Sequence, residues 1–425
     1  MGEGDAGRNL TGMPPSRFLG AARPTARGGA WRPLLALVLL AALLGGTAYL
    51  QLRRPIPAAA ARQTIAARSA LPGPRPSLPW PRTGIAALGV SGLGLIETSP
   101  GERPLPMWSI AKVMTALVVL DDKPLKKDEQ GPSITVTDAD VKLYQQEKAD
   151  QESVVAVQAG EKLTEYQALQ ALLIPSGNNL GDLLANWDAG SVSAFLVKMN
   201  ARASSLRLAR TSFADTSGAS EQTVSTPTDL TRLALVAIAN PVLVAITAQP
   251  QAQLPVAGVV YNVDYALGQS GINGLKTGSN PGSGAGFMFS SGFKVAGQNL
   301  TLVGAVMGLD TLDEAFAASR QLIDFAKQGV QVADAINDGI KVGLYEAPWG
   351  AQAALLTTQG APLVEWPGME VVRKLEVPAA RAPVKAGAPA GDLLLRLGDQ
   401  EVRVPLVTDS GLSPPSTAWR LTRLG

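Results

Sequence analysis

From Pro33 to Leu52 the chain runs without a charged residue. At about 1.5 Å per helical residue that stretch is roughly 30 Å long, the thickness of one bilayer core. A buried helix of a soluble domain would show a polar face, and this run shows none. The segment before it carries Arg8, Arg17, Arg23, Arg27 and Arg32 against only Glu3 and Asp5. Its Gly, Pro and Arg content predicts a disordered segment over 1–32, and its excess of arginine places that end in the cytoplasm and the rest outside. The expected order therefore begins with a cytoplasmic segment 1–32 and a transmembrane helix 33–52. A cleaved export signal is the competing reading, since Ala58 to Ala61 offers the small residues a signal peptidase needs. Arg53 and Arg54 directly after the run, and the length of the run, favour a retained anchor. Both readings deliver the same domain outside the membrane.

The stretch from Arg53 to Arg82 is rich in Ala and Pro and is expected to be a semi-extended linker, 53–82. The 425 residues leave room for two further domains, and 46% hydrophobic residues supply their cores. A net charge of +2 with no basic domain argues against nucleic acid as a partner. The chain has no histidine, so no mechanism can use an imidazole base, and no cysteine, so thiol nucleophiles and most transition-metal sites are excluded. No metal and no cofactor is expected.

Against that background one tetrad stands out. Ser109-Ile110-Ala111-Lys112 opens an apolar run in which Ile110, Val113, Met114, Leu117 and Val118 recur at helical spacing. Three residues apart on a helix, the Ser109 hydroxyl and the Lys112 amine share a face. A serine at a helix start is ordinarily a cap. An amine on a buried face is different, because burial is costly for it unless it is used. Desolvation and a second cation would lower its proton affinity until it can take the serine's proton. Ser291-Gly292-Phe293-Lys294 has the same spacing but reads as a glycine-containing turn between apolar runs. Two further elements come after the first tetrad in order, Ser176-Gly177-Asn178 and Lys276-Thr277-Gly278. This trio is the signature of penicillin-binding proteins and class A β-lactamases.

The pattern around these motifs is mixed. Ile85 to Val90 and Leu93 to Thr98 predict a hairpin through Ser91-Gly92. Ile134 to Val136 and Val154 to Val157 read as short strands flanking an exposed excursion. Thr164 and Gln167 form a capping box for a helix that Pro175 ends, so that Ser176-Gly177-Asn178 lies in the loop before a helix over 180–187. Helices over 191–206, from Thr226-Pro227 to Asn240-Pro241, and over 311–328 are expected. Lys276 falls near the end of one of several antiparallel strands, and Gly278 suits close approach of another chain. Beyond about Gly339 short runs separated by Gly and Pro predict a β-rich tail, with Leu393, Leu395 and Leu397 facing Val402, Val404 and Leu406 across a hairpin.

From Arg82 onward the chain resembles the serine-type D-alanyl-D-alanine carboxypeptidases, the low-molecular-mass penicillin-binding proteins. The resemblance rests on the three motifs, on their frames Met107-Trp108-Ser109-Ile110-Ala111-Lys112, Leu172-Leu173-Ile174-Pro175-Ser176-Gly177-Asn178 and Gly274-Leu275-Lys276-Thr277-Gly278, and on the Thr211-Ser212-Phe213 to Ser217-Gly218 stretch. It implies an α+β fold, a β-lactamase/transpeptidase-like domain over 83–338 with a five-stranded antiparallel sheet between helices, followed by a small all-β domain over 339–425. It also implies roles. Ser109 is the nucleophile, Lys112 its base, and Ser176, Asn178 and Lys276 are the proton-relay and orienting groups. Thr277, Gly278 and Ser279 bind substrate, with the backbone N–H groups of Ser109 and Ser279 holding the oxyanion. The implied reaction removes the terminal D-alanine from a peptidoglycan stem peptide through an acyl-enzyme, and β-lactam antibiotics acylate the same serine.

Three features depart from the family pattern. Trp108 stands where relatives have a small residue, which alters the groove beside the nucleophile. No Arg or Lys lies between Gln253 and Lys276, where relatives often place an arginine for the terminal carboxylate. The expected anchor is N-terminal, whereas many relatives use a C-terminal amphipathic helix. A D,D-endopeptidase shares the same site. A class A β-lactamase should carry Glu-x-x-Leu-Asn between Asn178 and Lys276, and the chain does not. A non-catalytic cell-wall binding protein is opposed by the intact motifs.

Overall fold

A computed structural model describes residues 31–423; the segment 1–32, expected to be cytoplasmic and disordered, lies almost wholly outside the described residues, and its last two residues open a helix. This helix, α1 (Trp31–Arg53), contains the whole uncharged run and buries none of its residues within the protein. Its 23 residues measure about 35 Å, long and apolar enough to cross a membrane. With Pro414–Gly425 it forms a compact unit of its own, separate from Ala58–Ser413. In this unit a short helix, Thr417–Thr422, is tied to the end of α1: Gln51 Nε2 donates to Arg423 O (2.7 Å), and Arg423 Nη1 donates to Pro55 O (3.0 Å). The β-rich tail therefore does not run to residue 425 as expected.

Within Ala58–Ser413 the central sheet has five antiparallel strands in the spatial order Ile272–Asn280, Gly284–Val295, Gln298–Leu309, Ile85–Val90, Gly94–Thr98. Successive side chains of a strand point to opposite faces, and both faces of this sheet are covered. On one side Met288, Val303 and Ala305 join a core built from helices. These are α2 (Lys112–Asp122), α4 (Glu165–Leu173), α5 (Asn178–Ala189), α6 (Val192–Ser205), α7 (Pro227–Ala237) and α8 (Pro241–Thr247), with α3 (Asp138–Ala149) outside them. On the other side Phe287 and Phe289 meet α9 (Leu312–Gly329), Phe287 edge-on to Phe316 at 5.1 Å. Helix α2 lies inside the first core, and every residue from Lys112 to Leu120 is buried. Its all-round apolar surface requires that position; the lysine at its start is carried in with it.

Several helices begin where the side-chain caps dictate. Thr164, Ser191, Thr226 and Thr311 each accept from a backbone N–H of the first turn. The exposed excursion turns out to hold α3, whose Thr137 and Asp140 form a reciprocal capping box. Ser133–Thr135 pairs with Lys162–Thr164, and Val154–Val157 forms no strand. Its backbone is claimed by a side chain instead: Val155 N–H donates to Asn179 Oδ1 (3.0 Å), and Asn179 Nδ2 donates to Val155 O (2.9 Å).

The tail contributes a seven-stranded sheet, and two of its strands come from the stretch read as a linker. Ala60–Gln63 pairs with Lys341–Glu346, and Arg68–Ala70 with Glu370–Glu376. Short edge strands need no apolar alternation of their own, because the neighbouring strand supplies both ladder and register. The linker expectation over 53–82 is corrected accordingly.

Candidate active site

Ser109 does not cap α2. It sits in a 3-10 turn, Trp108–Ala111, that runs directly into the helix, with Ile110 N–H donating to Met107 O (3.2 Å). Trp108 adopts a left-handed backbone (φ 49°) and is only 4% exposed, so its side chain packs inward and adds almost no surface to the groove. Two glycines hold this turn from either side. A Cβ on Gly278 would lie 2.6 Å from Met107 O, and a Cβ on Gly218, at φ 82°, would lie 1.8 Å from Trp108 O. The Lys-Thr-Gly strand and the loop after Ser217 can approach the Ser109 turn only because both positions lack a side chain.

Lys112 is fully buried, and its Nζ has three oxygen neighbours: Ser109 Oγ at 2.8 Å, Asn178 Oδ1 at 2.6 Å and Ser217 O at 3.0 Å. Burial, reinforced by the charge of Lys276, holds this amine well below the ordinary lysine range. Asp215, Glu147 and Glu152 oppose that shift without cancelling it. The Ser217 carbonyl is held by its own loop, in which Asp215 Oδ2 accepts from Ser217 Oγ (3.0 Å) and Ala219 N–H (2.7 Å). Thr115, one turn along α2 from Lys112, donates to Thr216 O (2.6 Å) and ties the same loop to the helix.

Asn178 opens α5 and Ser176 precedes it at a left-handed φ of 68°, buried. Among the described residues no hydrogen bond joins the Ser176 hydroxyl to Ser109, Lys112 or Lys276. Lys276 is 1% exposed and donates to Thr277 O (3.1 Å), with Thr277 Oγ1 at 3.4 Å. Burial lowers its amine to about 7, against the pull of Asp264. Asp264 is itself buried and raised to about 6, with one carboxylate oxygen accepting from Ala266 N–H (3.0 Å) and the other without a hydrogen-bond partner. Ser279, next along the strand from Gly278, is exposed. The geometry thus joins Ser109, Lys112 and Asn178 directly, sets Lys276 close enough to act on Lys112 through its charge, and leaves Ser176 without a hydrogen bond to them.

The sequence reading missed Ser217 as a backbone acceptor, Asp264 as the counter-charge of Lys276, and Glu152, whose Oε2 accepts from Asn178 Nδ2 at 2.5 Å. Gly218 beside Ser217 was a visible signal of close backbone approach. A lone acidic residue in a loop, as at 152 and 264, gives none.

Comparison with known proteins places these features. The sequence profile of the D-alanyl-D-alanine carboxypeptidases matches residues 94–311. The chain is 30% identical over 212 residues to a D-alanyl-D-alanine endopeptidase of Pseudomonas aeruginosa, covering 49% of this chain and 64% of the relative. It is 36% identical over 153 residues to the D-alanyl-D-alanine carboxypeptidase DacB2 of Mycobacterium tuberculosis, covering 35% and 48%. The matches thus span less than two thirds of these curated relatives. The fold is that of solved penicillin-binding proteins. The D-alanyl-D-alanine carboxypeptidase DacD from Francisella tularensis superposes with a TM-score of 0.57 at 18% identity, over 80% of this chain and 96% of that one. The Streptomyces K15 DD-transpeptidase gives 0.52 at 24%, over 60% and 100%. With its profile matched over half its length and its motifs gathered around one buried lysine, the chain belongs to the D-alanyl-D-alanine carboxypeptidase family.

Proposed function

We propose that the protein is a serine-type D-alanyl-D-alanine carboxypeptidase that trims peptidoglycan stem peptides outside the membrane, anchored by α1 with its N-terminus in the cytoplasm. One observation carries the reading: the environment of the Lys112 amine. A neutral amine has two N–H donors and one lone pair. Asn178 Oδ1 and Ser217 O can only accept, so they take the two donors. The lone pair is left for the third neighbour, Ser109 Oγ, which must then be the donor. That is the arrangement a general base needs before the reaction starts.

In this mechanism Ser109 Oγ bonds to the carbonyl carbon of the penultimate D-alanine as its proton passes to Lys112. The backbone N–H groups of Ser109 and Ser279 receive the oxyanion. The C–N bond breaks as a proton returns to the leaving amine of the last D-alanine. Water then releases the shortened peptide and restores the serine. Lys276, in its charged form, together with Thr277 attracts the terminal carboxylate in the absence of an upstream arginine. The strained ring of a β-lactam acylates the same oxygen and makes penicillins inhibitors.

The test is one incubation of the purified protein with a stem pentapeptide, read by mass. Loss of a single alanine, abolished in Ser109→Ala, is the expected result. No loss from the pentapeptide, with cleavage of a cross-linked dimer, would replace this reading by the endopeptidase one. Inertness toward both would leave neither.

A further inference from the structure

The lone pair of Lys112 is free for Ser109 only while the Asn178 amide faces one way. Turned over, it would present Nδ2 to Lys112, and an N–H donor would occupy the lone pair that Ser109 needs. The structure assigns this choice to Glu152: we propose that Glu152 is a positioning residue for acylation, holding Asn178 with its oxygen toward Lys112 by accepting from its nitrogen. The inference rests on the reading of Ser109 and Lys112 as nucleophile and base.

Glu152 is delivered to that contact by the end of α3. Gln151 takes a left-handed backbone (φ 62°), Gln151 N–H donates to Lys148 O (3.2 Å), and Glu152 N–H donates to Glu147 O (2.9 Å). This is the double hydrogen bond of a Schellman stop, which fixes the direction of the next residues. The residue after Glu152 is tied down too, since Asn178 N–H donates to Ser153 O (2.7 Å). From there Glu152 Oε2 reaches Asn178 Nδ2 at 2.5 Å, while Asn178 Oδ1 stands 2.6 Å from Lys112 Nζ. A carboxylate has no N–H to offer, so it accepts from only one face of the amide. The neighbouring carboxyl is kept out of this role: burial, reinforced by the charge of Glu152, raises Glu147 to about 8. At neutral pH Glu147 therefore carries a proton.

The titratable groups that act on Lys112 are Lys276 from the edge strand, Asp215 from the Ser217 loop, Glu147 from α3 and Glu152 itself. The negative charge of Glu152 favours the protonated amine. Its removal therefore moves the acid limb of the acylation profile to lower pH, whatever happens to the amide.

Two conservative variants separate reach from charge. Glu152→Gln keeps an acceptor at the same distance but adds an N–H donor and loses the charge. Glu152→Asp keeps the charge and is one methylene short. Single-turnover acylation by a fluorescent penicillin is followed from pH 5 to 9 on the full-length protein in detergent, per mole of labelled site. Glu152→Asp and Glu152→Ala are expected to lower the plateau rate by about ten-fold or more with little change in penicillin affinity, and Glu152→Gln, whose amide can hold Asn178 in either orientation, to fall between them and wild type. Glu152→Gln and Glu152→Ala should shift the acid limb down; Glu152→Asp should not. In an Asn178→Ala background Glu152→Ala should have no further effect on the plateau. A Glu152→Ala plateau equal to wild type, or additive losses in the double variant, would overturn the proposal. Ser109→Ala, run alongside, separates the two readings: if it still acylates, the nucleophile assignment fails; if it is inert while Glu152→Ala acylates normally, only the role of Glu152 does.

Discussion

The chain contains the same spacing twice, Ser109 to Lys112 and Ser291 to Lys294, and folds the two copies oppositely. The first lies where a 3-10 turn enters a helix, so its side chains meet at 2.8 Å with the lysine fully buried. The second lies in the strand Gly284–Val295, not in the turn its glycine suggested. On a strand, residues three apart point to opposite faces and stand roughly 10 Å apart. Ser291 is buried and donates to Ser270 O (2.7 Å), while Lys294 is exposed. Identical spacing brings the two side chains together only when the backbone period turns both to one face.

Matched substitutions break this comparison if it is wrong. The largest difference is expected between Ser109→Ala, which abolishes labelling by fluorescent penicillin, and Ser291→Ala, which leaves it intact; labelling that tracks residue 291 would reverse the assignment. Next, Lys112→Ala should slow acylation by about 10²–10⁴-fold, the range of general base catalysis, and Lys294→Ala should not change it. Stopped-flow acylation rates decide. Smaller effects separate the glycines. Gly278→Ala forces a Cβ against Met107 O and is expected to lower the acylation rate by about ten-fold or more through misplacement of the turn that carries Ser109, whereas a Cβ on Gly292 meets nothing within 4 Å. An unaffected Gly278→Ala would show that the strand can retreat without cost.

The smallest effect concerns stability. The Lys276 amine sits at about 7 in the folded protein and near 10.4 when unfolded. Between those values the unfolded chain binds more protons, so this group makes stability rise with pH. Denaturant titrations at pH 8 and 9 should show a slope lower by about 1.4 kcal/mol per pH unit in Lys276→Met than in wild type. An unchanged slope would mean that Lys276 is charged in the fold.

What the sequence made legible was whatever leaves a periodic or chemical mark. The apolar run through Ile110, Val113 and Leu117 announced α2, the Thr164 and Gln167 box announced α4, and Gly278 announced a close approach. What it hid was stabilised from elsewhere. Helix α3 buries only Tyr144, so no apolar stripe marked it, although its cap was present. The strands at Ala60–Gln63 and Arg68–Ala70 depend on partners nearly three hundred residues away. Val154 to Val157 has the composition of a strand, yet the Asn179 side chain takes its backbone groups. The role of Glu152 was hidden for the same reason: it depends on how α3 stops, a feature of backbone geometry at Gln151 that residue types do not announce.

Whether Lys112 is uncharged before substrate arrives can be measured directly. In protein labelled at the lysine side chains, the Lys112 resonance is identified by its absence in Lys112→Arg, and its titration is followed by NMR. The account predicts a neutral amine at pH 9, where surface lysines are still protonated and titrate only near 10.4. A Lys112 signal that titrates together with the surface lysines would contradict it.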